Sequence, residues 1–420
     1  MPAPMRTLGL LAFVLLSALG SPAFAAPSWV QLGPQGPEIR AIAEDGHCPS
    51  VEIDGEARQT RARAPADAAF PVTVCRVAVP EGSVRASLGG HALPLPHGEP
   101  RRILIFGDTG CRVKGLLVQD CRDPRLWPFA TIAAKAAAFH PDLVIHVGDY
   151  YYRESPCPPL HDECVGSPYG DKWDTWRAEF FDPAQPLLAS APFVFVRGNH
   201  ESCSRGGLGW FRLLDAAPEP LACPAQAAPF RVTLGDLNLY VLDSADTVDV
   251  SAPAEAVAGF ASQLQALAPD LAHRPGWILT HRPIWGLTPV ARAGPIGPLE
   301  VALNRTEQAA VRGRDLSAVR MVVSGHIHHF ASFDFGPGRP AQLIAGTGGD
   351  VGEPADTPRI RTSSPEIDDM TAKRLTFDRF GYLLLDRAGA DWVGAFRDIN
   401  DRVIATCRLH QRDLTCKAAK

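Results

Sequence analysis

The stretches Gly148-Asp149-Tyr150-Tyr151-Tyr152 and Gly198-Asn199-His200-Glu201 decide the fold and the chemistry of this 420-residue chain. Each follows an apolar run, residues 142–147 and 192–196, that is typical of a buried strand. In an open α/β sheet, ligands bind where strands end and loops begin. We therefore expect a carboxylate, a phenol, an amide and an imidazole at neighbouring strand ends. This mixture of hard oxygen and borderline nitrogen donors favours iron, manganese or zinc over a thiolate site.

Three further strand ends carry side chains of the same kind. From residue 101 onward, strand-like runs alternate with helical patterns, as in α/β proteins. These runs end at Asp108, at His281 and at the pair His326 and His328. Two adjacent cations need a bridging carboxylate, terminal ligands for each ion, and open positions for water and substrate. The five strand ends together supply enough ligands for such a site.

Each of these residues has an ordinary structural interpretation when it is taken alone. Asp108 and Asp149 could cap helices, Asn199 is a common turn residue, and His281 could be a hydrogen-bonded core histidine. Their occurrence together, each after a predicted strand, favours metal binding. His329 follows the histidine pair and is expected at the surface.

The five blocks resemble those of the calcineurin-like metallophosphoesterases, and within that family the purple acid phosphatase branch. That branch shows Asp-x-Gly, Gly-Asp-x-x-Tyr, Gly-Asn-His-(Glu/Asp), Val-x-x-His and Gly-His-x-His, in this order. The present chain has these blocks at residues 108–110, 148–152, 198–201, 278–281 and 325–328, with Ile278 in place of Val. The resemblance spans about residues 101–350.

The resemblance implies a fold and a set of metal ligands. The fold is a four-layer α/β/β/α sandwich, with two central sheets flanked by helices. His200 would lie near the phosphate and would stabilise or protonate the leaving oxygen. One metal would be held by Asp108, Asp149, Tyr152 and His328, and the other by the bridging Asp149 with Asn199, His281 and His326.

The activity expected from this resemblance is hydrolysis of phosphate monoesters by a metal-bound hydroxide, as in acid phosphatases. A phenolate at Tyr152 favours Fe(III) as one ion, with divalent Fe, Zn or Mn as the other. Because a trivalent ion acidifies water strongly, an acidic pH optimum is expected. Two alternatives stay open: a phosphodiesterase or nucleotidase on the same site, and a non-catalytic phosphate-binding protein with a vestigial site.

Four basic residues are candidates for substrate contacts. They lie on loops that are predicted to frame the site, and arginine suits bidentate contact with phosphate. The alternative for each is a solvated surface charge. The candidates are His161, Arg205, Arg282 and Arg292.

The chain divides into three predicted segments. Residues 1–25 have the pattern of a signal peptide, with a basic residue, a short apolar run and an Ala-x-Ala cleavage site. Residues 26–100 show short alternating runs without a helical pattern, which predicts a small β-sandwich-like domain. Residues 101–420 form the predicted catalytic domain. The apolar run of the leader is too short to span a bilayer, so we expect a secreted or periplasmic protein without a membrane anchor.

All ten cysteines follow the predicted leader. An even number of cysteines in an exported chain predicts disulfides, although their connectivity is not deducible from sequence. Nearest-neighbour pairing is one of the possible connectivities. It would join Cys48 to Cys75, Cys111 to Cys121, Cys157 to Cys164, Cys203 to Cys223, and Cys407 to Cys416.

The composition is that of an ordinary globular protein. The chain is 46% hydrophobic and 21% charged, and its formal net charge is −5. A balance this close to neutral gives no indication of a nucleic-acid partner or a membrane-surface protein. The expected partner is a small-molecule phosphate ester, and the oligomeric state stays open.

Overall fold

The computed structural model describes Met1 and residues 26–219, 222–290, 299–351 and 360–419. In the first half of the chain the strands are β1 (Ser28–Gly33), β2 (Gly36–Ala43), β3 (Ser50–Ile53), β4 (Glu56–Gln59), β5 (Arg61–Ala64), β6 (Thr73–Ala78), β7 (Ala86–Leu88), β8 (His91–Leu93), β9 (Arg102–Phe106), β10 (Val113–Lys114), β11 (Leu117–Val118), β12 (Leu143–His146) and β13 (Phe193–Phe195).

In the second half the strands are β14 (Phe230–Leu234), β15 (Leu237–Val241), β16 (Gly276–Leu279), β17 (Gly286–Val290), β18 (Leu299–Leu303), β19 (Val319–Ser324), β20 (Phe330–Asp334), β21 (Ala341–Ala345), β22 (Arg361–Ser363), β23 (Glu366–Ile367), β24 (Met370–Thr371), β25 (Lys373–Phe377), β26 (Gly381–Ala388), β27 (Asp391–Asp398), β28 (Val403–His410) and β29 (Asp413–Ala418). The helices are α1 (Phe129–Ala137), α2 (Trp173–Trp176), α3 (Asp182–Leu188), α4 (Gly207–Leu213), α5 (Ala254–Ala266), α6 (Ala268–His273) and α7 (Arg305–Val311). A π-helical segment, Arg177–Phe181, joins α2 to α3.

Two large sheets form the centre of the molecule. The first has eleven strands in the order β29-β28-β27-β26-β9-β12-β13-β1-β2-β6-β5. The second has eight, in the order β14-β15-β16-β19-β21-β20-β25-β22. The middle of each sheet is parallel: β9, β12 and β13 in the first, and β15, β16, β19 and β21 in the second.

The side chains of β9 show why the two sheets stack. Because successive residues of a strand face opposite sides, Ile103 and Ile105 enter a core that also contains Trp277 and Leu279 of β16. Leu104 enters a different core, on the opposite face of the same sheet. Strands that are apolar on both faces are typical of parallel sheets covered on both sides.

Helices cover the outer face of each sheet. Helices α1, α3 and α4 supply buried residues to the core on the outside of the first sheet. On the second sheet, α5 packs through Phe260 and Leu264, which lie four residues apart on one helical face. The layers are helix, sheet, sheet and helix, so the predicted four-layer fold is confirmed.

The N-terminal strands extend the central architecture. Among residues 26–100, β1, β2, β6 and β5 form one edge of the eleven-stranded sheet, and Gln31 of β1 pairs in parallel with Phe193 of β13. The other four strands form a separate sheet, β4-β3-β7-β8, which shares a small apolar core with Val30 of β1 and Ile39 of β2. The predicted boundary between an N-terminal domain and a catalytic domain at residue 100 stays a proposal. If there are two such domains, they share the eleven-stranded sheet.

Five disulfides connect all ten cysteines in the nearest-neighbour pattern. This pairing, which was one of many open to the sequence, is confirmed. Disulfides form and persist in oxidising compartments, so the pattern indicates an extracellular type of environment. Within the described ranges, no helix is both long enough and apolar enough to span a bilayer. The predicted signal peptide lies outside the described residues apart from Met1.

Candidate metal centre

The carboxyl ends of the parallel strands in both sheets meet at one place. Asp108 follows β9 and Asp149 follows β12, while His281 follows β16 and His326 follows β19. The Nε2 atom of His281 lies 3.2 Å from a carboxylate oxygen of Asp149, although the two residues belong to different sheets. The stacking of the sheets therefore brings together side chains that are more than 100 positions apart.

Three of the residues at these strand ends have a left-handed backbone conformation. Asp108, Asp149 and His326 have φ angles of 58°, 59° and 68°, in the left-handed region that ordinary residues seldom adopt. Such strain persists only where the surrounding structure requires it, and it is found most often at functional sites. Two motif glycines have a steric role, since a Cβ at Gly198 or at Gly325 would overlap the carboxylate of Asp149 or Asp108.

The first group of potential ligands contains Asp149, His281 and His326. One potential ligand atom from each lies within 4.8 Å of the others. The side-chain oxygen of Asn199 lies 3.1 Å from Nε2 of His281 and so joins the same group. Nδ1 of His281 lies 2.8 Å from the carbonyl of Val147, which leaves Nε2 to face the group.

The second group contains Asp108, Asp149 and His328, again with ligand atoms within 4.8 Å of one another. The hydroxyl of Tyr152 lies among them, 2.9 Å from Asp149, 3.2 Å from Asp108 and 3.1 Å from Nε2 of His328. Asp149 is common to both groups, so its carboxylate is the one that two bound ions would share.

The electrostatics of the cluster fit two cations. Burial raises the pKa of Tyr152, and the nearby charges of Asp149 and Asp108 raise it further, so only a strong local positive charge could ionise this phenol. Burial opposes protonation of His281 and His328, but neighbouring carboxylates outweigh it and raise the pKa of each histidine to about 9. Without metal, the protonated His281 and His328 thus balance the charge of the buried carboxylates, and bound cations would replace these protons.

Comparison with known proteins agrees with this geometry. Residues 101–330, more than half of the chain, match the family model described as calcineurin-like phosphoesterase. The chain belongs to the calcineurin-like phosphoesterase family. It is accordingly a metal-dependent phosphoesterase. A search of curated protein sequences finds no match.

Solved structures related to this phosphoesterase share its fold at low sequence identity. The purple acid phosphatase PPD1 from yellow lupin (Lupinus luteus) seeds has a TM-score of 0.56 at 14% identity, covering 94% of this chain and 74% of that one. The structure of PhoD has a TM-score of 0.55 at 12% identity, covering 96% of this chain and 94% of that one. Identities this low establish similarity of fold alone.

Two buried glutamates hold the loop that carries Asp149 and Tyr152 in this phosphoesterase. Glu201 accepts hydrogen bonds from the backbone N–H groups of residues 149, 150 and 151, at 2.9–3.1 Å. Glu179 accepts those of residues 152 and 153, at 2.8 and 3.3 Å. Five consecutive N–H groups are therefore bound by two carboxylates, and we call this arrangement the glutamate clamp.

Glu179 lies in the π-helical segment between α2 and α3, a kind of helical irregularity that is frequent at functional sites. Burial raises the pKa of Glu179 to about 7 and that of Glu201 to about 8. The sequence analysis missed Glu179. The available signal was weak: Glu179 lies in a stretch with aromatic residues at helical spacing, and only the structure shows that it is buried.

His200 lies over the ring of Tyr152, with 3.7 Å between the ring centroids. Its Nδ1 is 2.9 Å from the carbonyl of Tyr151 and 3.1 Å from the carboxylate of Glu154. Burial lowers the pKa of His200. Arg205 forms an ion pair with Glu154 and lies 2.7 Å from Nε2 of His200. Glu154 was not anticipated from the sequence.

The remaining candidates differ in where they lie. Arg282 is at the site, 3.0 Å from Nε2 of His326 and paired with Asp249. His161 lies on the disulfide loop 157–164 and pairs with Glu163 at 3.6 Å. Arg292 lies outside the described residues.

One expectation was wrong: His329 is buried rather than at the surface, with 7% of its area exposed. Its Nδ1 lies 3.8 Å from Asp378, and the buried strand β20 begins at the next residue. Two carboxylates at the site were not anticipated either. Asp249 lies 3.2 Å from His326, and Asp350 lies 3.1 Å from His328.

Proposed function

We propose that this phosphoesterase is an exported phosphatase that hydrolyses phosphate monoesters with two metal ions, in the manner of the purple acid phosphatases. The observation that carries the proposal is the position of Tyr152. Its hydroxyl lies within 3.2 Å of Asp108, Asp149 and His328. A phenol among carboxylates and an imidazole is a donor set that suits Fe(III).

The proposed ligand sets divide the cluster at Asp149. The first group, Asp149 with Asn199, His281 and His326, would hold divalent Fe, Zn or Mn. The second group, Asp108, Asp149, Tyr152 and His328, would hold Fe(III). Bound cations would supply Lewis acidity toward the phosphate and acidify a water molecule.

The proposed role of His200 is to donate a proton or hydrogen bond to the leaving oxygen. Glu154 and the carbonyl of Tyr151 fix the ring through Nδ1, and Nε2, which lies 2.7 Å from Arg205, would turn to the leaving oxygen once a phosphate engages that guanidinium. Arg282 and Arg205 already hold carboxylate partners, Asp249 and Glu154, at the edge of the site. A phosphate group would compete with these carboxylates for the guanidinium groups.

An absorption spectrum with elemental analysis of the purified protein tests the metal assignment. We expect about two metal ions per chain and a visible tyrosinate-to-iron band. Tyr152→Phe should lose the band, whereas Tyr151→Phe, which alters a buried neighbour stacked on Trp176, should keep it. A colourless two-metal protein would contradict the iron assignment, and less than about one metal ion per chain would favour a vestigial site.

A phosphodiesterase or nucleotidase remains the second candidate, because the same groups could serve either ester. Rates for p-nitrophenyl phosphate and for its bis ester separate these possibilities, and the proposal requires the monoester to be preferred. A pH optimum on the acid side of neutrality is expected with Fe(III), and an optimum above about pH 9 would contradict it.

Export is supported by the five disulfides and by the leader pattern of residues 1–25. We propose a secreted or periplasmic protein with cleavage before Ala26. Amino-terminal sequencing of the protein recovered from the medium or periplasm tests this, and an intact Met1 on that protein would contradict it.

A further inference from the structure

Exposed apolar side chains are concentrated in two loops, each of which follows a ligand-bearing block of the sequence. Six of the eleven exposed large apolar residues in the described chain lie in two loops, residues 113–126 and 155–170. We call these two loops the rim. Its exposed apolar residues are Leu116, Leu117, Leu126, Leu160, Val165 and Tyr169.

The two loops of the rim form one braced unit. Val113 of one loop forms a parallel bridge with Arg153, which lies two residues before the other loop. The disulfides Cys111–Cys121 and Cys157–Cys164 pack together in one buried cluster with Val113. A surface that is held this firmly can present apolar groups to a ligand at a low entropic cost.

The tip of the second loop is strained as well as exposed. Leu160 has a φ angle of 69°, and its side chain is fully exposed. A bulky apolar residue in the left-handed region is an outlier. Backbone strain of this kind clusters at functional sites, so the position is a candidate for a functional role.

Contacts connect the rim to the side of the site where His200 lies. Lys114 is 3.2 Å from Glu154, and Glu154 is 3.1 Å from His200. A phosphate bound between the two ligand groups, with its leaving oxygen toward His200, would direct the alcohol portion of the ester to the rim.

We propose that the rim binds an apolar alkyl or aryl group on the leaving-group side of the ester, so that the enzyme selects phosphate esters of apolar alcohols. This inference rests on the proposed phosphatase function. The rim is continuous with the catalytic site through Lys114 and Glu154, which favours the substrate itself as the occupant over a second copy of the chain or a bilayer.

The test compares straight-chain alkyl phosphates from ethyl to hexyl, below their micelle concentrations. Their leaving alcohols have similar reactivity, so chain length isolates the apolar contact. We expect kcat/KM to rise about twofold for each added methylene, or about 0.4 kcal/mol, half of the value for a fully buried methylene. The inhibition constants of the corresponding alkylphosphonates should fall by the same factor.

Two variants link this dependence to the rim. Leu160→Asn suits the left-handed backbone, so it removes the apolar group without endangering folding. Leu160→Asn combined with Leu116→Ser should flatten the dependence on chain length. Val84→Ser, at an exposed valine in the N-terminal segment, should leave the dependence unchanged.

The outcomes separate this inference from the function on which it rests. If the enzyme hydrolyses p-nitrophenyl phosphate, but neither kcat/KM of the alkyl phosphates nor the inhibition constants of the alkylphosphonates depend on chain length, that result would overturn the role of the rim alone. An unchanged dependence in the Leu116 and Leu160 variant would do the same. If alkyl phosphate hydrolysis shows no dependence on chain length, and the wild type but not this variant binds phosphatidic acid vesicles, the rim is a membrane contact instead. Absence of any phosphatase activity in the metal-loaded protein would overturn the proposed function itself.

Discussion

At the scale of single residues, the glutamate clamp shows how buried carboxyl groups can position a metal-binding loop without binding metal. Glu179 accepts the N–H groups of Tyr152, Arg153 and Cys111 at 2.8, 3.3 and 2.9 Å. Hydrogen bonds to a buried carboxylate restrict the backbone that carries Tyr152. The orientation of the tyrosine therefore depends on a residue that lies in a different element.

Replacing Glu179 with glutamine should loosen this loop. Both oxygens of Glu179 accept backbone N–H groups, and glutamine would replace one of these oxygens with an NH2 group, which cannot accept them. At least one buried N–H group would then lose its acceptor, so we expect the unfolding free energy to fall by about 2 kcal/mol. We also expect faster loss of metal in dialysis against a chelator. Both are measurable, by urea denaturation and by elemental analysis.

Asp171→Asn is the matched control for this experiment. Asp171 is half-buried and accepts hydrogen bonds from the backbone N–H groups of Leu208 and Gly209, at 2.8 and 3.0 Å. It should lose stability but retain metal. A Glu179→Gln protein that holds its metal as firmly as the control would refute the positioning role.

At the scale of elements, the rim loops illustrate how a disulfide can serve both stability and substrate contact. Cys157 and Cys164 close a short loop with a sequence separation of 7 immediately after the Tyr152 segment. Without the disulfide the unfolded chain would gain conformational entropy, which for a loop of this size corresponds to about 2 kcal/mol of unfolding free energy. The same loop carries Leu160, so its order also affects the rim.

Replacing both cysteines of this pair with serine should therefore lower the unfolding free energy by about 2 kcal/mol and raise KM for long-chain alkyl phosphates. Cys407 and Cys416 are the control pair, since they join β28 to β29 with a sequence separation of 9. Their removal should cost similar stability and leave KM unchanged. Equal kinetic effects from the two pairs would argue against a local role for the first.

At the scale of the whole molecule, the metal-free protein should lose stability as the pH rises. Burial opposes the charge on His281 and His328, but neighbouring carboxylates outweigh it and raise each pKa to about 9. In the unfolded chain a histidine releases its proton near pH 6.5. The folded protein thus holds more protons than the unfolded one between about pH 6.5 and 9, and stability falls through that interval.

Bound cations would replace those protons, so the metal-loaded protein should lose less stability over the same interval. Urea denaturation midpoints at several pH values, with chelator and with metal, measure the difference. Parallel curves for the two forms would contradict the placement of these histidines beside the ions.

The sharing of one sheet by the two proposed domains gives a second prediction at this scale. Removal of residues 26–100 would strip β1 from β13. It would also remove the buried Arg40, which donates hydrogen bonds to the carbonyls of Leu213 and Asp215 at 2.6 and 2.7 Å. We expect residues 101–420 alone to aggregate, because an exposed strand edge and unpaired buried carbonyls are both costly. A soluble fragment with cooperative unfolding would show that the N-terminal segment is dispensable.

The sequence was sufficient where the signal is local. Each ligand-bearing block follows an apolar strand directly, so the order of the blocks placed Asp108, Asp149, His281 and His326 at strand ends. The strand–helix alternation and the resemblance to the family together predicted the layered α/β fold. Nearest-neighbour pairing succeeded for the disulfides because each pair closes a short loop, at most 27 residues long.

Only the tertiary structure decided which distant groups support that site. Glu179, Asp249 and Asp350 lie outside the recognised blocks, and they meet the site because the two sheets stack and a π-helical segment turns Glu179 inward. The membership of the N-terminal strands in the large sheet depends on pairing across more than 160 positions, from Gln31 to Phe193. Such contacts carry no local sequence pattern, because they are selected by the packing of the whole chain.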